Sequence, residues 1–130
     1  ALVIISYFFN EHYQNFKFLY FFISIVGHIF PIWLKFKGGK GVACFFGGFL
    51  IISPIPTLIS MAIWMVTVKI TKISSLGALL SIFLLTSYQI VSNYGTLNKG
   101  TIFAIMFIIF WKHSDNIRRL IQGKENKINL

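Results

Sequence analysis

Two stretches of this 130-residue chain hold residue types and spacings that can do chemistry. The first is Gly27-His28-Ile29-Phe30-Pro31-Ile32-Trp33-Leu34-Lys35-Phe36-Lys37-Gly38-Gly39-Lys40-Gly41-Val42-Ala43. Gly38, Gly39 and Gly41 allow backbone N–H groups to converge with no Cβ in the way. A nest of this kind ahead of a helix N-terminus offers donors and a positive dipole end to an anion. Lys37 and Lys40 add full charges, so a phosphate site is one reading and a solvated, positive cytoplasmic loop is the other. It is not a Walker A loop, because Lys40 is followed by Gly41 and Val42 where that motif needs a hydroxyl.

The second stretch is Lys112-His113-Ser114-Asp115-Asn116-Ile117-Arg118-Arg119-Leu120-Ile121-Gln122-Gly123-Lys124-Glu125-Asn126-Lys127. If the preceding helix continues, His113 and Asn116 lie three apart on one face. They would present a ring nitrogen and a carboxamide at the membrane surface. Gly123 marks a helix end ahead of Glu125. The competing reading is a basic amphipathic tail attracted to anionic lipid. His28 suits either packing or substrate contact, and His12, in the polar break Asn10–Asn15, reads as solvated. Ser74 and Ser75 are most simply N-cap residues, with Ser75 kept as a possible site residue.

The elements that carry these stretches are apolar. The chain is 56% hydrophobic and 12% charged, with fifteen Phe and three Trp and a mean hydropathy of +0.77. Soluble domains run near 45–50% apolar and about 25% charged, so the bilayer is the expected solvent, and disorder is excluded. The net charge of +9 would suggest nucleic acid on a soluble protein. Here the basic residues cluster between apolar runs, as cytoplasmic loops do, and no nucleic-acid partner is expected. A lone cysteine, Cys44, excludes an internal disulfide. No His/acid cluster has metal-ligand spacing.

Apolar runs occupy Ala1–Phe9, Phe16–Leu34, Val42–Ile52, Ile55–Ile70, Leu76–Val91 and Thr101–Trp111. Ser53-Pro54-Ile55-Pro56 predicts a turn between two helices over 42–70, with one kinked helix as the alternative. Trp64 and Trp111 read as interfacial anchors. With the Lys35–Lys40 loop cytoplasmic, ten basic residues fall on that side and only Lys17 and Lys99 outside it. That positive-inside bias favours the two-helix reading. The fold expected is all-α, a polytopic transmembrane bundle of about five to six segments forming one integral-membrane domain over residues 1–130. Because Ala1 opens directly into an apolar run, the chain reads as beginning inside a segment.

Taken together, the two stretches resemble the bacterial membrane-integral glycerol-3-phosphate acyltransferases that use acyl-phosphate as donor. Gly27–Ala43 is similar to that family's second motif, and only Cys44, usually Thr, is off pattern. Lys112–Lys127 is similar to its third, with His113, Asn116, Arg119, Gly123 and Glu125 in register. The resemblance runs from about Gly27 to the C-terminus, the C-terminal two-thirds of such an enzyme. The family's Ser-Gly-Asn-containing first motif has no counterpart before Gly27.

The resemblance implies transfer of an acyl chain from acyl-phosphate to the 1-hydroxyl of glycerol 3-phosphate, giving lysophosphatidate and inorganic phosphate. It implies a multi-pass protein of the bacterial inner membrane, with the motif loops and C-terminus cytoplasmic, membrane lipids around it and no cofactor. On this reading Lys37, Gly38, Gly39, Lys40 and Gly41 bind phosphate, His113 and Asn116 contact phosphoryl oxygens, and Glu125 orients a basic partner. His28, Ser75 and Arg119 are further candidates. Residues 1–130 alone are expected to be inactive. A non-catalytic scaffold or transporter-like bundle whose basic loops bind anionic lipid is the alternative. The test between the two is whether His113 and Asn116 come within about 10 Å of Lys40, a span that direct or once-relayed contact can bridge.

Overall fold

Proline and glycine punctuation sets where the apolar runs stop being helix. The computed structural model describes residues 11–32, 35, 38–92 and 95–128. Ala1–Phe9, Trp33, Leu34 and Lys37 lie outside the described residues. All regular structure in the described part is helical: α1 (Glu11–Ile29), α2 (Val42–Ile52), α3 (Pro54–Thr71), α4 (Ser74–Val91), α5 (Thr96–Lys112) and α6 (Ser114–Ile121).

Two boundaries differ from the apolar runs. Helix α1 starts at Glu11, so the stretch around His12 is helical, not a polar break. It ends at Ile29 rather than near Leu34, because Pro31 drives the preceding residue out of the helical region. The Phe30 N–H closes the last turn on Val26 O at 2.8 Å.

The 42–70 run is two helices. Ser53 is extended (φ −151°, ψ 73°), and Pro54 and Pro56 fall in the first turn of α3, where a missing N–H costs no intrahelical bond. The Phe46 and Trp64 rings then lie 6.4 Å apart. In one straight helix those eighteen residues would span about 27 Å, so α3 folds back along α2. Helix α4 folds back in turn along α3. Ser60 Oγ donates to Ser81 O at 2.7 Å, and a Cβ on Gly77 would stand 2.7 Å from Trp64 Cδ1.

The core gathers 3–4-spaced stripes from four helices: Phe18, Phe21, Ile25 and Ile29 of α1, Phe45 and Phe49 of α2, Ile82 and Leu85 of α4, and Ile102, Ile105 and Ile109 of α5. Phe21 meets Phe49 edge-on at 5.1 Å and 88°, a favoured aromatic geometry. The outer surface is apolar as well, with Ile70, Val91 and Phe107 exposed by 76%, 82% and 64%. Helices α3 and α4, 18 residues each, are long and apolar enough to cross a membrane, close to the ~30 Å hydrocarbon thickness. Thr57, Thr71, Thr86 and Thr101 return their hydroxyls to carbonyls four residues back, which suits an environment without water. The architecture is an all-α integral-membrane bundle.

Candidate active site

The second chemical stretch is built by a corner. Helix α5 stops at His113 (φ −98°, ψ 9°) and α6 starts at Ser114, so His113 and Asn116 do not ride on one continued helix. The corner buries both, to 2% and 5% exposure. His113 Nδ1 lies 2.8 Å from Ile109 O. A carbonyl only accepts, so Nδ1 carries the proton in the neutral ring and Nε2 is left with a lone pair. The His113 pKa is lowered chiefly by burial, against the Ile109 hydrogen bond, with the Lys40 charge lowering it further and Glu125 opposing. The ring is neutral at pH 7.

Past α6 the chain reverses. Gly123 adopts φ +66°, Gly123 N–H reaches Leu120 O at 3.1 Å, and Lys124 N–H reaches Arg119 O at 2.8 Å. This pair of bonds is the Schellman ending that a left-handed glycine permits. The returning strand is pinned by the Ile128 N–H on Lys72 O at 2.8 Å, in the turn between α3 and α4. Glu125 is thereby brought back over the bundle, where its carboxylate accepts from Arg119 Nε (2.6 Å), Asn116 Nδ2 (2.6 Å) and Ser75 Oγ (2.8 Å). These donors, Arg119 first, overcome burial and hold its pKa at about 2.

Asn116 Oδ1 accepts from Lys40 Nζ at 2.6 Å. Lys40 can only donate and an ionised Glu125 can only accept, so the Asn116 amide has one possible orientation. Among the described residues no carboxylate pairs with Lys40, and Glu125 is already neutralised by Arg119. The local balance is one uncompensated positive charge.

Lys40 reaches this point because its loop hugs the end of α1. A Cβ on Gly38 would collide with His28 O, Ile29 O and Pro31 Cδ, and Gly41, at φ +84°, turns the chain into α2 against Ile29. A cavity of about 750 Å³ opens beside Lys40, with Ser75, His113, Asn116 and Glu125 at its charged end. Phe46, Gly47, Leu50, Met61 and Trp64 line its apolar part. Among the described residues no group of three His, Cys, Asp or Glu side chains could hold a metal.

Five sequence candidates therefore meet in one place: Lys40, Ser75, His113, Asn116 and Glu125, with Arg119 behind Glu125. Lys40 and Asn116 stand 2.6 Å apart, and His113 lines the same cavity. Other expectations change. Gly38, Gly39 and Gly41 are not in the cavity wall; their part is the path of the loop. His28 is exposed and lies beside Gly39 rather than in the cavity. Lys37 lies outside the described residues. Ser75 is not a cap: α4 is capped at Ile73 without a side-chain bond. Trp64 is not an interfacial anchor but a cavity wall, its indole N–H on Ser74 O at 3.3 Å. No local signal marks the apolar wall, because Ala43, Phe46 and Leu50 have the spacing of any core stripe.

Comparison with known proteins agrees with this fold. The glycerol-3-phosphate acyltransferase family model matches residues 1–123. The glycerol-3-phosphate acyltransferase of Ehrlichia chaffeensis is 38% identical over 118 residues, covering 90% of this chain and 60% of the relative. That of Sinorhizobium fredii is 42% identical over 106 residues, covering 81% and 51%. The crystal structure of PlsY (YgiH), an integral membrane glycerol 3-phosphate acyltransferase in its glycerol 3-phosphate form, superposes with a TM-score of 0.81 at 27% identity. It covers 98% of this chain and 63% of that one. The chain thus spans between half and two-thirds of the length of the proteins it matches. Because that family match runs from residue 1 to residue 123, through the first chemical stretch, most of the second and every described helix, the chain belongs to the glycerol-3-phosphate acyltransferase family.

Proposed function

We propose that this chain supplies the acyl-transfer site of a membrane enzyme that moves a fatty acyl group from acyl-phosphate to the 1-hydroxyl of glycerol 3-phosphate, releasing lysophosphatidate and inorganic phosphate. The observation that carries the reading is the meeting of Lys40, Asn116 and His113 in a cavity that is otherwise lined mostly by apolar side chains. Both substrates carry phosphate and one carries a long hydrocarbon chain, so the pair needs both ends. The family membership and the likeness to PlsY in its glycerol 3-phosphate and lysophosphatidic acid forms support the same reading. The positive-inside bias supports a bacterial inner-membrane protein with this end of the cavity cytoplasmic.

Lys40 uses one N–H on Asn116 and keeps two for phosphoryl oxygens. The acyl-phosphate anhydride is already activated, so no enzyme nucleophile is required. The glycerol hydroxyl oxygen bonds to the acyl carbon, the bond from that carbon to the phosphate oxygen breaks, and phosphate leaves with the electron pair. The hydroxyl proton passes to His113 Nε2, which in the neutral ring accepts and does not donate. The ring therefore suits the hydroxyl better than the phosphoryl oxygen assigned to it from sequence. Asn116 is a positioning residue for Lys40, and Glu125, with Ser75 and Arg119, positions Asn116. The work is proximity and electrostatics.

Lys40→Gln tests this. In an intact enzyme carrying this sequence, assayed in membranes without their own glycerol-phosphate acyltransferases, the KM for glycerol 3-phosphate should rise by about 1.5–3 kcal/mol, the size of a charge-assisted bond. The acyl-phosphate KM should move less. Equal shifts for both substrates, or none, would overturn the assignment.

A further inference from the structure

Two adjacent glycines of α2 answer to different neighbours. Gly48 is buried, and the Phe21 ring occupies the space its Cβ would take. The packing of α1 on α2 accounts for it. Among the described residues, no atom beyond its own stretch of helix lies within 4 Å of a Cβ on Gly47, and its φ is not positive. Glycine inside a helix costs about 1 kcal/mol relative to alanine, yet neither packing nor backbone conformation requires it at this position. What Gly47 does border is the cavity.

Its place along that cavity is specific. Ala43, Gly47 and Leu50 stand on one face of α2 and all line the wall. Ala43 begins the stripe beside Lys40; Gly47 lies about 6 Å deeper and Leu50 a further turn down, at 1.5 Å per residue. Met61 and Trp64 of α3 also line this apolar part. A chain whose head is held at Lys40 must pass Gly47 before it reaches Leu50.

We propose that Gly47 determines acyl-chain specificity: its missing side chain keeps the groove open past its middle and so admits long chains. The inference rests on the acyl-transfer reading above and adds the residue that sets the length accepted. A side chain here would project into the groove rather than into a neighbouring helix, so it would obstruct a long chain while sparing the fold.

The test uses Gly47→Leu and Gly47→Ala in an intact enzyme carrying this sequence, with Gly48→Ala as the packing control. Two quantities are measured: binding of 1-octanoyl and 1-palmitoyl lysophosphatidate, and turnover of octanoyl- and palmitoyl-phosphate. Gly47→Leu should lower the palmitoyl-to-octanoyl ratio in binding by about tenfold or more, the discrimination that added pocket bulk gives. Gly47→Ala, which meets nothing, should fold and shift the ratio in the same direction by a smaller factor. Gly48→Ala should lower the melting temperature and leave the ratio alone. An unchanged ratio in both Gly47 variants, or equal loss for both chain lengths, overturns the proposal. A ratio that shifts in binding while the unsubstituted intact enzyme fails to turn over any acyl-phosphate would support the groove assignment and sink the donor assignment instead.

Discussion

Two buried carboxamides of this chain, Asn116 and Gln89, are in opposite positions. Asn116 is 5% exposed and has a partner at each end, Lys40 on its oxygen and Glu125 on its nitrogen. Gln89, on α4, is fully buried, and among the described residues neither Oε1 nor Nε2 has a hydrogen-bond partner. The difference lies in what surrounds them. Asn116 sits where a helix corner, a glycine loop and a returning strand bring charged side chains together. Gln89 sits within a helical bundle, where backbone groups are already committed to their own helices. A hydroxyl can return to its own helix, but a carboxamide that needs a partner at each end finds both where the chain turns, and the site is built at such a place.

The comparison can be broken by exchanging the amides for apolar side chains. Asn116→Leu should have the largest effect, because Lys40 loses its anchor and Glu125 a donor, each bond worth about 1.5–3 kcal/mol. A fall in kcat/KM of roughly a hundredfold or more is expected. Combined with His113→Ala, the loss should be smaller than the product of the two single effects, since residues acting as a unit are not additive. Strict additivity in steady-state assays would mean that proton transfer at His113 and phosphate binding at Lys40 are not coupled.

Glu125→Gln should come next, costing about 1–3 kcal/mol of stability in detergent unfolding, with Arg119 left unpaired. Arg119 is 40% exposed, which tempers the loss. If unfolding is unchanged, the network is not what pins the returning strand.

The pH dependence sharpens the same point. Glu125 titrates at about 2 in the folded chain against an ordinary value of 4.5. A carboxylate depressed by folding stabilises above its unfolded pKa, and that contribution is lost as pH falls through 4.5 towards 2. The lowered His113 pKa acts with the same sign from its ordinary 6.5 downward, because the unfolded chain binds the proton first. Melting curves should therefore weaken on acidification, and Glu125→Gln should flatten the lower part of the slope. A parallel slope in the variant would place the acid-sensitive group elsewhere.

The smallest effect is the reverse in sign. Gln89→Met removes two unpartnered polar groups at nearly constant volume and should stabilise by about 1 kcal/mol with catalysis unchanged. Destabilisation in the same unfolding assay would show that this amide has a partner in the membrane.

Much of the site was legible before any coordinates. Lys40, His113, Asn116 and Glu125 stand out because charged and polar types are scarce in an apolar chain, and because glycine and proline mark the turns that carry them. Ser53-Pro54-Ile55-Pro56 announced a reversal, since proline is excluded from a helix interior but tolerated in a first turn. Gly123 announced a helix end for the same kind of local reason. Apolar runs and lysine clusters were enough to name a membrane bundle. These are properties of a residue and its chain neighbours.

What only the tertiary structure decided involves residues far apart in the chain. Ser75 reads as a cap from its neighbours and becomes a ligand of Glu125, fifty residues away, because a returning strand is pinned at Lys72. Trp64 reads as an interfacial anchor and becomes a cavity wall because α3 folds back on α2. Gly47 and Gly48 are the same letter in the sequence, and only the Phe21 ring on one side and open space on the other tell them apart. Periodicity specifies which face of a helix is apolar, but an apolar face is equally suited to a neighbouring helix, to lipid or to a substrate chain. The choice among these depends on how tightly the opposing surface approaches, a distance fixed when the helices pack.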